Sequence, residues 1–70
     1  MGKNVFRWEF GTCNFINVYK NNIICAYFTY DAKLRMHVSW STGPIFEDDW
    51  ECILTCVNEA KEILKKVKRI

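Results

Sequence analysis

Proline and glycine are scarce in this chain, with one and three copies, and alanine also has only three. So few Gly and Pro exclude a collagen-like or low-complexity segment. No apolar run approaches the ~18 residues of a membrane-spanning helix. Met1-Gly2-Lys3-Asn4 leads into a strand pattern rather than a signal-peptide core, and Phe6 stands where a myristoylation pattern has Ser or Thr. A soluble, cytoplasmic protein without a lipid anchor is the expectation. Charge of one sign is lacking as well: ten Lys+Arg against eight Asp+Glu give +2, short of the field of a protein built to coat nucleic acid. The scarcity of Ala, Gly and Pro beside many Asn, Ile and Lys residues is the bias of AT-rich coding, as in a phage, another virus or a Gram-positive bacterium.

Metal and catalytic motifs are missing too. The four cysteines Cys13, Cys25, Cys52 and Cys56 contain no pair separated by two residues, and His37 is the single histidine. Cys52 and Cys56 stand one helical turn apart, where a disulfide would be strained and would constrain little. Four reduced thiols are expected, two of them serving as small hydrophobes on a helix flank. Asp31, Asp48 and Asp49 fit a turn and a helix cap better than a hard-cation site. No nucleophile stands beside a base with an orienting third group, so no catalytic residue, metal or cofactor is assigned and an enzyme is not expected.

What the chain does have is aromatic and apolar bulk. Half of its 70 residues are hydrophobic and 16% are aromatic. That supplies the large buried area per residue that a domain this small needs. The hydrophobic period changes at Ser41-Thr42-Gly43-Pro44, from two-residue alternation to helical spacing. This predicts one α+β domain over residues 1–70, a four-stranded antiparallel β-meander with one C-terminal amphipathic helix packed across one face (ββββα). Strands are expected at about 4–10, 15–20, 23–30 and 34–40, and the helix at about 48–68.

Turns are placed at Gly11-Thr12-Cys13-Asn14, at Asn21-Asn22, whose residues tolerate positive φ, and at Asp31-Ala32-Lys33. A three-residue last loop pairs Phe28 with Met36, Ala26 with Val38 and Ile24 with Trp40, all apolar. The same register sets Tyr27 opposite His37 and Cys25 opposite Ser39. Asp48-x-x-Glu51 resembles a capping box. Acidic residues gather at the helix start and Lys65, Lys66, Lys68 and Arg69 at its end, complementing the dipole. The predicted core comprises Phe6, Trp8, Phe10, Ile16, Val18, Ile24, Ala26, Phe28, Met36, Val38, Trp40, Trp50, Ile53, Val57, Ala60 and Leu64, with Tyr30 at the end of the third strand's inward set. Cys52, Cys56, Ile63 and Ile70 widen the helix stripe on one flank, which calls for a further cover.

The sheet face turned from the helix then carries Val5, Arg7, Glu9, Phe15, Asn17, Tyr19, Ile23, Cys25, Tyr27, Thr29, Arg35, His37 and Ser39. A one-residue shift in the second strand would instead bury Phe15 and Tyr19. Exposed aromatics with Arg on a flat sheet mark a contact surface. The expected function is therefore non-catalytic binding of a protein partner, as an inhibitor or adaptor, through Arg7, Phe15, Tyr19, Tyr27, Arg35 and His37. Nucleic-acid binding by the same aromatic and basic face is the alternative, and self-association through the face or a sheet edge is the third. Strands followed by one helix is also an element order loosely similar to the sheet-reading DNA-binding domains of the AP2 and integrase arm-binding type, a likeness that no motif carries further.

Overall fold

The computed structural model describes residues 4–67, and in it four strands, β1 (Phe6–Phe10), β2 (Phe15–Lys20), β3 (Ile23–Tyr30) and β4 (Met36–Ser41), precede one helix, α1 (Glu47–Val67). The strands form a single antiparallel sheet in the order β1-β2-β3-β4. This is the ββββα meander expected from the change of period. Position 68, the end of the expected helix, lies outside the described residues, as do Arg69 and Ile70.

Local chemistry explains the turns. Cys13 takes φ 55° in the β1–β2 loop, where Gly11 N–H donates to the Phe15 carbonyl at 2.8 Å. Asn21 and Asn22 take φ 55° and 68°, the left-handed pair that a two-residue hairpin turn requires and that Asn tolerates. Asn21 Oδ1 also accepts from Val5 N–H at 2.9 Å, which ties β1 to this turn. The last loop is longer than expected. Asp31 Oδ1 accepts from the N–H groups of both Lys33 and Arg35 at 2.9 and 3.0 Å, and Leu34 is driven to φ 62°. Leu34 and Arg35 are thereby held in the loop, and β4 starts at Met36.

The longer loop and two bulges change the pairing. Met36 stands opposite Tyr30, His37 opposite Thr29, and Val38 opposite Phe28, so the expected partners of Met36 and Val38 are each displaced by two residues with the facing kept. A register shift then inserts Ser39, and Trp40 falls opposite Tyr27 rather than Ile24. An extra residue of this kind re-aims the side chains after it, and Trp40 is turned to the face away from the helix. A second shift at Val18/Tyr19 pairs Val18 with Ala26 but Tyr19 with Ile24. Cys25 is the inserted residue there and packs against the core, in the place expected for Ile24.

The helix covers β1 and β2, and Trp50 reaches the Phe28 ring of β3 at 6.2 Å. Ile16, Val18, Ala26, Phe28 and Tyr30 are buried from the sheet, and Ile53, Cys56, Val57, Ala60 and Leu64 from the helix. Ile16 and Val18 thus settle the second strand's register in favour of Phe15 and Tyr19 outward. Phe6, Trp8, Met36, Ile45, Leu34 and Trp50 pack around this core partly buried. Four expected core residues stand outside it: Ile24 is displaced by Cys25, and Phe10, Val38 and Trp40 are 42%, 39% and 41% exposed. For Val38 the reason is geometric, because the helix lies over the β1–β2 side and leaves β4 uncovered. Cys52, expected to serve as a hydrophobe beside Cys56, is exposed.

Two polar ties fix the helix on the sheet. Lys20 Nζ meets Asp49 Oδ2 at 2.6 Å, and Trp8 Nε1–H donates to Glu59 Oε1 at 2.9 Å. The helix begins one residue before Asp48, with Trp50 N–H donating to the Phe46 carbonyl at 2.9 Å. Asp48 is therefore not the cap but one of three acidic residues in the first turn, Glu47, Asp48 and Asp49, opposite Lys65 and Lys66 in the last.

The burial pattern separates two residues that alternation alone treats alike. Ile16→Ala should cost about 2–5 kcal/mol and Val38→Ala about 1 kcal/mol or less, read from urea unfolding midpoints at unchanged m. Equal losses would place β4 under a cover that the helix does not provide.

Candidate functional site: the open sheet face

Two groups of side chains occupy the face opposite the helix. The first spans β1 and β2. Arg7 stands opposite Tyr19, its guanidinium carbon 4.2 Å from the ring centroid, and Tyr19 Oη–H donates to Glu9 Oε2 at 2.8 Å. Arg7 Nη1 lies 3.6 Å from Glu9 Oε1, and its Nε–H donates to Asn22 Oδ1 at 3.3 Å. The hydrogen bond to Glu9 holds the Tyr19 phenol protonated above its ordinary range; desolvation and the Glu9 charge act in the same direction, and Arg7 opposes them. The arginine is thus held flat on a ring with its charge matched by a neighbour.

The second group is an aromatic ladder across three strands. Phe15 on β2 meets Tyr27 on β3 edge to face at 5.1 Å, and Tyr27 stacks on Trp40 of β4 at 5.7 Å with an interplanar angle of 20°. Asn17 sits between the groups, opposite Glu9 on one side and Tyr27 on the other. Beyond the ladder, the Thr29 and Ser39 hydroxyls are hydrogen-bonded to each other and His37 stands exposed opposite Thr29.

The residues expected to make contacts are therefore divided. Arg7 and Tyr19 come together, as do Phe15 and Tyr27, and His37 lies at the far side on β4. Arg35 is set apart in the loop, its Nε–H donating to Asp31 Oδ2 at 2.9 Å. The backbone N–H of Arg35 is the main cause of an Asp31 carboxyl held below the usual carboxylate range; desolvation opposes it, and the Arg35 side chain and the Lys33 N–H add smaller lowering contributions. Sequence reasoning missed Trp40, because strict alternation assigned it to the core and a bulge at Ser39 carries no composition signal.

The thiols do not join this face. Burial raises the pKa of Cys25, and the Asp49 charge adds to it; burial also raises that of Cys56, with Glu59 adding. Both stay protonated at neutral pH. Cys25 packs toward the core while His37 lies on the opposite face, and Cys25 is not paired with Ser39 or His37 with Tyr27 as the simple register implied. Among the described residues, no three His, Cys, Asp or Glu side chains converge on a point that could hold a metal ion. A concavity of about 440 Å³ lies elsewhere, between β1 and the helix.

No protein-family model, curated protein or solved structure matches this chain.

The Tyr19–Glu9 bond has a titration signature. A raised folded pKa means that the bond contributes stability at pH below the ordinary tyrosine range and loses it as pH rises through the folded ionisation. Glu9→Gln should lower the Tyr19 midpoint toward 10, followed by phenolate absorbance. An unchanged midpoint would mean that the bond does not form in solution.

Proposed function

We propose that this protein is a non-catalytic binding module that holds a protein partner on its open sheet face, in the manner of a small inhibitor or adaptor. The observation that carries this reading is the Phe15–Tyr27–Trp40 ladder, which crosses three strands on a face with no second layer over it. Aromatics held by their neighbours lose little entropy on binding, and with Arg they dominate interface energies. Arg7 over the Tyr19 ring extends the surface on one side, and the exposed His37 lies at its far side on β4. Coding bias of the AT-rich kind suits a phage or viral origin for such a module.

Two features favour protein over nucleic acid. Tyr27 and Trp40 turn one ring face each toward the other at 5.7 Å, too close for a base to enter between them. Phosphate contacts dominate nucleic-acid affinity, yet Arg7 is matched by Glu9, Arg35 by Asp31 and Lys20 by Asp49.

Trp40→Ala removes the end of the ladder and one stacking contact worth about 0.5–1.5 kcal/mol. A fall of roughly 4–8 °C in melting temperature per kcal/mol follows for a domain of this size. Proteins retained by immobilised wild type should be lost from immobilised Trp40→Ala and Tyr27→Ala, while amide spectra show both variants folded. Retention unchanged in both would remove the ladder from the contact. Salt-sensitive amide shifts at Arg7, Tyr27 and His37 on adding a DNA duplex or single strand would replace the protein partner with nucleic acid.

A further inference from the structure

The two edges of the sheet differ in a way that bears on self-association. The β4 edge is broken by the Ser39 bulge, a device that blunts an edge against pairing. The β1 edge is unbroken: Phe6 to Phe10 pair with Lys20 to Ile16 residue for residue with no shift. It contains no proline.

Hydrogen-bond parity shows which groups β1 presents outward. The Val5 carbonyl accepts from Asn21 N–H at 2.7 Å, and Gly11 N–H donates to the Phe15 carbonyl at 2.8 Å. The odd-numbered residues thus turn their backbone groups toward β2. By the alternation of an antiparallel ladder, Phe6, Trp8 and Phe10 present theirs to the outer edge. An added antiparallel strand must satisfy those groups.

We infer that the occupant of this edge is β1 of a second copy of the chain, paired antiparallel about a two-fold axis at Trp8. Charge selects the register. Only registers that set outward-facing residues against one another satisfy the backbone. Centring the pair on Trp8 puts Phe6 opposite Phe10 and Arg7 opposite Glu9, twice over by symmetry. A shift one way sets Arg7 opposite Arg7, and a shift the other way sets Glu9 opposite Glu9. Directly opposed like charges are destabilising, and opposed unlike charges are favourable. The strand is thus self-complementary in one register, as a two-fold interface demands.

The helix side of the edge fits the same pairing. A groove of about 440 Å³ runs along β1, lined by Phe6, Trp8, Cys52, Thr55, Cys56 and Glu59 among others. Phe10, 42% exposed in the single chain, would lie opposite Phe6 of the other copy at this groove. The axis stands perpendicular to the sheet, so two four-stranded sheets become one of eight. Both helices then lie on one side and both Phe15–Tyr27–Trp40 ladders on the other. The pairing stands without the proposed use of the open face, and would make that face bivalent.

Charge exchange tests the register. Wild type should sediment and scatter as twice 8.3 kDa, with the Phe6, Trp8 and Phe10 amides exchanging more slowly as concentration rises. Glu9→Arg makes the edge wholly positive and Arg7→Glu makes it wholly negative. Each variant turns two attractive pairs into repulsive ones and should raise the dimer dissociation constant about tenfold or more. Mixing the two variants should restore a dimer containing one chain of each, and Trp40→Ala, on the far edge, should leave the wild-type dimer intact. A monomeric wild type at millimolar concentration, a dimer that survives Glu9→Arg, failure of the mixture to associate, or loss of the dimer in Trp40→Ala would each overturn the proposal. Because Trp40→Ala is read here by mass and in the preceding test by partner retention, the two readings fail independently.

Discussion

Everything in this structure rests on one apolar contact, the helix laid over the first two strands. Ile16 and Val18 of β2 and Ile53 of α1 are almost wholly removed from water, and the small residues Ala26 and Ala60 are fully buried on either side of the same layer. A sheet of four short strands has no inward cover of its own, and a domain of this size has little surplus area to lose. The helix closes the layer on one side only. That off-centre position determines which residues are core, which edge is regular, and which face is bare. The Lys20–Asp49 pair and the Trp8–Glu59 hydrogen bond add orientation at partly exposed sites; their net energetic worth is small beside that of the apolar burial.

The sequence was a good guide where a single rule applied and a poor one where two competed. Alternation in β1 made its inward and outward residues legible, and the positive-φ tolerance of Asn21 and Asn22 located the turn between β2 and β3, whereas the sequence alone left the facing of β2 between two registers. The helix was legible because Ile53, Val57, Ala60 and Leu64 repeat at its period and acidic and basic residues mark its ends. Alternation failed within β3, at Cys25, and again after the third turn. Asp31 is a strong enough local acceptor to hold Lys33 and Arg35, so Leu34 is spent on closing a loop although its side chain reads as strand. The bulges at Cys25 and Ser39 follow from fitting strands of unequal reach, a property of the pair rather than of either segment. They moved Cys25 inward and Trp40 outward. The candidate face was accordingly legible in its β1–β2 half, Arg7, Tyr19 and Phe15, and not in its most exposed ring.

The two halves of the open face are physically unlike. Arg7, Tyr19 and Glu9 form a closed polar unit in which each group satisfies another, so it carries shape and little free charge. The ladder from Phe15 to Trp40 is apolar and ends at an edge strand. A surface built this way discriminates by complementarity of form more than by long-range attraction, and its contacts would be only weakly sensitive to ionic strength.

The order of the elements along the chain carries a last consequence, for how the molecule is made. The sheet's apolar side is written in residues 6–41 and its cover in residues 47–67. A ribosome extending the chain exposes the strands before it exposes Ile53 to Leu64. Until the helix follows, Ile16, Val18, Ala26 and Phe28 have no helix to meet, and the stickiest side of the sheet is uncovered. The hairpins close from near neighbours in sequence, whereas the Trp8–Glu59 contact spans most of the chain. The apolar face of the sheet is thus covered only once Ile53 to Leu64 dock, so the last element made is the one that shields all the earlier ones.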